Sequence, residues 1–253
     1  MAKPNINIFH MYPDLLNLYG DGGNVSCLKK RLEWRGINTK VVEVKFQDEV
    51  NLENADVVFI GGGPDREQKL ASQEIHKASS QISKFVNDNG VLLAICGGYQ
   101  ILGKTWVLND EDVPGLGILD IETRRSLPGA PRLIGNIALD SKISARPVIG
   151  YENHAGRTFL GQNVEPFGRV IKGVGKGNND DSLCDGVIYK NVIGTYLHGP
   201  LLAKNPEIAD WLLKRAVQRR CDKLGISTCV LDALDNSVED EANDYMSQRL
   251  GVK

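Results

Sequence analysis

The sequence predicts an α/β fold, with a central, mostly parallel sheet flanked by helices and a small antiparallel extension. Three observations carry the prediction. Short apolar runs alternate with helical patterns through the first part of the chain. Residues 91–95, Val-Leu-Leu-Ala-Ile, hold no charge and suit a strand buried on both faces. Beyond residue 108 the texture changes to short strands broken by Gly, Pro, Asn and Asp.

Residues 6–11 read as a first strand, and 12–24 as a loop rich in Gly, Asp and Asn. Residues 25–35 form a helix with Cys27, Leu28, Leu32 and Trp34 turned to the core, ended by Gly36. Residues 40–44 and 56–60 are strands, the second running into Gly61-Gly62-Gly63-Pro64. Residues 66–87 read as one long helix, with Leu70, Ile75, Ala78, Ile82, Phe85 and Val86 at helical spacing. Asn89-Gly90 stops it, and the strand to Ile95 follows. Cys96, Gly97 and Gly98 then make a sharp turn into a helix over 99–108.

Strands are expected at 115–122, 133–139, 147–153, 170–173, 186–189 and 192–197, with Lys190-Asn191 as a hairpin turn. Residues 173–181 read as a mobile loop. Asn205 caps a helix with Pro206 at its first position, running to about Cys221. The organisation expected is one domain over residues 1–221 and an acidic helical tail over 222–253, packing on the body or a partner.

A chain of 253 residues can bury roughly 70–75% of its unfolded surface, ample for a large core. A net charge of -2 argues against nucleic acid or an anionic membrane surface as partner. No apolar run approaches a membrane span, and no apolar leader precedes the first strand. Cys27, Cys96, Cys184, Cys221 and Cys229 are odd in number and include no C-x-x-C pair, so neither a disulfide framework nor a zinc site is indicated. A reducing cytoplasm is the expected location.

The chemistry centres on Cys96. A strand–turn–helix lifts its side chain out of the sheet at the carboxyl edge. It also aims a helix N-terminus at the sulfur, which favours thiolate. A buried cysteine present for packing alone is the plain alternative. Of four histidines, His198 ends an apolar strand before Gly199-Pro200, the same placement as Cys96. His10 ends the first strand, His76 lies on a charged helix face, and His154 sits in Gly150-Tyr151-Glu152-Asn153-His154.

The constellation resembles the class I (triad) glutamine amidotransferases, whose histidine follows the cysteine by about a hundred residues. Ile95 to Gln100, Gly150 to His154 and Tyr196 to Gly199 look like the cobyric acid synthase branch. With Asn17-Leu18-Tyr19-Gly20-Asp21, Gly61 to Gln68, Arg132 to Asn136 and Glu152 to Thr158, the chain is similar over about residues 5–215 to the glutaminase subunits of lipid II isoglutaminyl synthases. The resemblance implies that Cys96 forms a γ-glutamyl thioester and His198 acts as acid and base. It places the oxyanion on backbone N–H groups of Gly62 and Gly97. Gln100, Arg132, Asn153 and His154 would bind substrate, Arg132 through the α-carboxylate.

No metal and no cofactor is implied. The implied partner is a Mur-ligase-like, ATP-using synthetase in a heterodimer, amidating the D-glutamate α-carboxylate of membrane-anchored lipid II to D-isoglutamine. Another acceptor such as cobyrinic acid, or a non-catalytic scaffold role, are the alternatives. In one respect the pattern departs. The class places a carboxylate two residues after the histidine, and here Pro200 stands there. The third member is absent, or comes from elsewhere, such as Glu152 or a partner chain. Gly98 to Thr105 also spells the P-loop pattern, but no loop separates strand from helix, so a phosphate cradle is not expected.

Overall fold

Val57–Ile60 and Val91–Ile95 are buried at every position, and they form the middle of a six-stranded sheet. In this computed structural model residues 3–108, 111–127, 129–227 and 230–252 are described. In chain order the first part comprises β1 (Ile6–Met11), α1 (Gly22–Glu33), β2 (Thr39–Val44), β3 (Val57–Ile60), α2 (Asp65–Lys77), α3 (Ser79–Asn87), β4 (Val91–Ile95) and α4 (Gly97–Ile101). There follow β5 (Thr105–Leu108), β6 (Glu111–Pro114), β7 (Ile121–Arg124), β8 (Leu133–Asp140), β9 (Val148–His154), β10 (Arg157–Leu160), β11 (Gly168–Gly173), β12 (Cys184–Asp185), β13 (Val187–Tyr189) and β14 (Val192–Thr195). The chain closes with α5 (Pro206–Leu224) and α6 (Ser237–Leu250).

The main sheet runs β13-β14-β4-β3-β1-β2. Its strands pair in parallel except β13, which joins β14 through the Lys190-Asn191 hairpin. The expected extension is two further sheets, β10-β7-β5-β6 and β12-β11-β8-β9. Their pairings are antiparallel apart from a short parallel contact between β5 and β7. The α/β architecture therefore stands as expected. The carboxyl ends of β1, β3, β4 and β14 converge on one edge, and the site lies there.

Several elements differ from expectation. The helix over 66–87 is two, because Ala78 leaves helical backbone at φ -89°, ψ 5°. Trp34 is 61% exposed rather than in the core. The buried stripe of α1 is Val25, Leu28 and Leu32, and Trp34, two residues on, lies off it. The helix after Cys96 stops at Ile101, and Thr105-Trp106-Val107, a β-favouring run, becomes a strand. Residues 115–119 are no strand; their N–H groups cap carbonyls of Ile101, Leu102, Gly103 and Lys104 instead.

Residues 173–181 are pinned. The Glu152 carboxylate accepts from Lys176 and Gly177 N–H at 2.8 Å each, and buried Asn178 bonds both N–H and C=O of Gly186. Cys221 is disulfide-bonded while Cys27, Cys96 and Cys184 are free, so one disulfide is present that the cysteine spacing did not indicate. Cys229 lies outside the described residues.

Pro206 opens α5 as expected, but Asn205 makes no side-chain cap. Its amide pairs with the N–H and C=O of Ile149 and with Leu201 O, joining β9 to the helix. From the tail, α6 docks on the body through polar groups. Asn243 donates to Pro147 O and Lys204 O at 2.9 Å each. Glu239 and Asn236 meet Arg31, a buried side chain of α1 that also pairs with Asp210 of α5.

Candidate active site

Cys96 is the residue between β4 and α4, and its backbone is strained, at φ 53° and ψ -108°. Two bonds hold it there. Cys96 N–H donates to Thr195 O at 2.8 Å, and Cys96 O accepts from Gln100 N–H at 2.9 Å. This is a nucleophile elbow: a strand, a strained residue and a helix. The tight turn brings Gly98 against β3, where a Cβ would lie 2.6 Å from Ile60 O. Because α4 is only five residues long, its dipole gives the sulfur less than expected, and the neighbouring side chains matter more.

His198 follows β14, beside β4, and is buried. A Cβ on Gly62 would stand 3.0 Å from Cys96 Cβ and 3.1 Å from His198 Cε1. Cysteine and histidine thus share one small space with the triple-glycine loop between them, where any side chain would crowd both. Cys96 and His198 therefore lie close to one another.

A carboxylate does reach His198, that of Asp21. His198 Nδ1 lies 3.0 and 3.1 Å from its two carboxylate oxygens. The partners are 177 residues apart in sequence, and Asp21 is fully buried in the loop that follows β1. Where the class has a carboxylate two residues beyond the histidine, a carboxylate here comes from the loop after β1, and Glu152 does not reach His198. Glu152 instead pins residues 176 and 177 and stands 3.8 Å from His154 Nε2.

Burial alone would push the His198 imidazole down. The Asp21 hydrogen bond and the nearby Cys96 outweigh it and raise its pKa to about 10. Nδ1 is committed to Asp21, while Nε2 is buried without a hydrogen-bond partner. That nitrogen is free to exchange a proton with a thiol or a leaving amine.

Asp21 does a second thing. Its Oδ2 accepts the Gly62 N–H at 3.0 Å, so the loop donor expected to face an oxyanion is already engaged. Gly62 O accepts from Leu18 N–H at 2.9 Å, and Gly63 O accepts from the Gln68 side chain. The Gly97 N–H opens α4 and lacks an acceptor one turn back.

A cavity of about 420 Å³ opens onto Cys96. Gln100, Arg132 and His154 line it as expected, together with Asp65, Gln68 and Arg125. Gln100 is oriented by the Tyr196 hydroxyl at 2.9 Å. The His154 ring stacks on Tyr196 with centroids 3.5 Å apart, and its Nδ1 lies 2.8 Å from Gly156 O, an arrangement that puts the proton on Nδ1. Asn153 does not line the cavity; it holds Arg132 from behind. The P-loop look-alike is closed to phosphate, since residues 98–101 are helix and Lys104 pairs with Asp120.

Sequence reasoning did not single out Asp21, which contacts His198, or Gln68, which lines the cavity. A signal was present: an acidic residue in a glycine-rich loop after the first strand of a parallel sheet stands at the edge where such folds build sites.

A cysteine on an elbow, a histidine and a carboxylate meet beside a cavity carrying an arginine, an arrangement of the kind glutamine-hydrolysing enzymes use. The model of the CobB/CobQ-like glutamine amidotransferase domain matches residues 7–206, and the chain belongs to that family. It is 40% identical over 245 residues to the lipid II isoglutaminyl synthase (glutamine-hydrolyzing) subunit GatD of Staphylococcus aureus strain N315, covering 96% of each chain. The subunit of the same name in Streptococcus pneumoniae strain R6 is 34% identical, with 96% of this chain and 92% of that one covered. A crystal structure described as a glutamine amidotransferase shares the fold, with a TM-score of 0.56 at 23% identity, covering 82% of this chain and 98% of that one. Among the described residues no helix is long and apolar enough to cross a membrane.

Proposed function

We propose that this chain hydrolyses L-glutamine and hands the ammonia to a synthetase subunit. The observation that carries the reading is the Cys96–His198–Asp21 constellation folded around Gly62. The Cys96 sulfur attacks the side-chain amide carbon, forming a C–S bond. His198 Nε2 delivers a proton to the departing nitrogen, and ammonia leaves a γ-glutamyl thioester. Water, deprotonated by the same nitrogen, then breaks the C–S bond and releases glutamate. Asp21 keeps the imidazole in one orientation and stabilises its cation.

The oxyanion falls to the Gly97 N–H, because the Gly62 N–H is held by Asp21. Arg132 pairs with the substrate α-carboxylate, where a guanidinium fork fits best. Gln100 and His154 shape the pocket floor. The chemistry asks nothing of a metal or cofactor.

Ammonia is mostly protonated at neutral pH and then cannot attack, so the product needs a sheltered route to its acceptor. The long match to the two GatD subunits supports a Mur-ligase-like, ATP-using partner that activates the D-glutamate α-carboxylate of lipid II in the cytoplasm. The CobB/CobQ-like family leaves a cobyrinate-type acceptor as the second reading. A scaffold role loses its main support now that Asp21 stands behind the histidine.

Cys96→Ala is expected to abolish ammonia release from glutamine with an unchanged circular dichroism spectrum. Full release by that variant would overturn the glutaminase reading. Amidation of lipid II by the co-purified pair, and not of cobyrinate, would separate the acceptors.

A further inference from the structure

One chain of contacts runs from the rim of the cavity to the back of His198. Arg132 donates Nε to Asn153 Oδ1 at 2.9 Å and Nη2 to the Asn153 carbonyl at 3.2 Å. Asn153 Nδ2 donates to the Tyr19 hydroxyl at 2.5 Å. The Tyr19 ring lies edge-on to His198 with centroids 5.0 Å apart. Neither Asn153 nor Tyr19 lines the cavity.

Tyr19 shares a tight turn with Asp21. That turn grips the site at three further points: Leu18 N–H on Gly62 O, and Asp21 on both Gly62 N–H and His198. Tyr19 stands in the left-handed region at φ 56°, ψ 22°, which a bulky residue avoids unless its neighbours hold it. Its side chain is 44% exposed, so core packing does not account for its placement. What holds it is Asn153 on one side and the His198 and Tyr151 rings on the other.

We infer that Tyr19 is a positioning residue that couples the carboxylate site at Arg132 to the placement of His198. The inference rests on the glutaminase reading. When an α-carboxylate pairs with the Arg132 fork, it fixes the guanidinium against Asn153. Asn153 then fixes the Tyr19 hydroxyl, and the turn carries Asp21 and the imidazole with it. An amide that lacks the α-carboxylate leaves Arg132 loose and the histidine less well aimed. The chain thereby spends its strained thioester chemistry on glutamine and spares other amides, a coupling between two contact points of one substrate.

The test compares L-glutamine with 4-aminobutanamide, which keeps the reacting amide and lacks the α-carboxylate, using the full chain and ammonia release. Tyr19→Phe keeps the ring and deletes only the hydroxyl. The ratio of kcat for glutamine to kcat for the analogue is expected to fall about tenfold in Tyr19→Phe, with KM for glutamine changed less than twofold. In the Arg132→Ala background, adding Tyr19→Phe is expected to lower kcat for glutamine less than twofold further. An unchanged ratio, or equal losses on both substrates, would overturn the coupling alone. An unaltered chain that releases no ammonia from glutamine would overturn the glutaminase reading and the coupling with it.

Discussion

Asp21 serves two partners at once, His198 Nδ1 and the Gly62 N–H. Replacing it tests both. The carboxylate raises the imidazole pKa, and burial, which lowers it, remains when the carboxylate is gone. The sign follows. In the unaltered protein the imidazolium persists through neutral pH, and its contribution to stability is complete below about 6.5 and lost as pH rises through about 10. Asp21→Asn is therefore expected to move the alkaline limb of the kcat/KM profile to lower pH and to cut kcat on the order of a hundredfold. A pH–rate profile from 6 to 10 checks it, and an unmoved alkaline limb would remove Asp21 from the proton chemistry.

At the level of elements, the site depends on strand ends held in register. Cys96 follows β4, His198 follows β14, and the pairing of Ile95 with Thr195 sets them side by side. The return from β14 to α5 is fastened by Asn205, whose amide satisfies both backbone groups of Ile149. Asn205→Ala leaves those buried groups without partners and is expected to cost about 3 kcal/mol. That lowers Tm by about 6–12 °C for a chain of this size, a shift calorimetry resolves. The short α4 and the split of the long helix at Ala78 were not legible in the pattern. Periodicity marks which residues face the core and says little about where a helix axis breaks or how soon it ends. By contrast, β3 and β4 were legible because strands buried on both faces must be apolar throughout.

Across the whole molecule, the tail is bound by polar contacts more than by apolar ones; the buried residues of α6 are Asn243 and Ser247. Arg31 is the shared anchor, bridging Asp210 of α5 to Asn236 and Glu239 at the start of the tail. Arg31→Ala is expected to destabilise by about 3 kcal/mol, since it leaves carboxylates facing one another in a half-buried site. Hydrogen exchange should show faster exchange in α6 than in the β4 and β14 strands, and uniform change across the chain would contradict the anchoring role. The exposed side chains Val238 and Tyr245 lie on this same helix.

The sequence by itself determined the α/β class, the turn at Cys96 and a histidine at a second strand end; Arg132 and Gln100 came with the family resemblance. Each of these is written locally, as an apolar run, a glycine pair or a motif. Only the tertiary structure decided the contact of Asp21 with His198, the engagement of the Gly62 N–H and the placement of Asn153 behind Arg132. Those depend on which loops meet at the sheet edge. Asp21 and His198 touch across most of the chain because β1 and β14 end on the same side of one sheet, and no spacing rule along the sequence encodes that meeting.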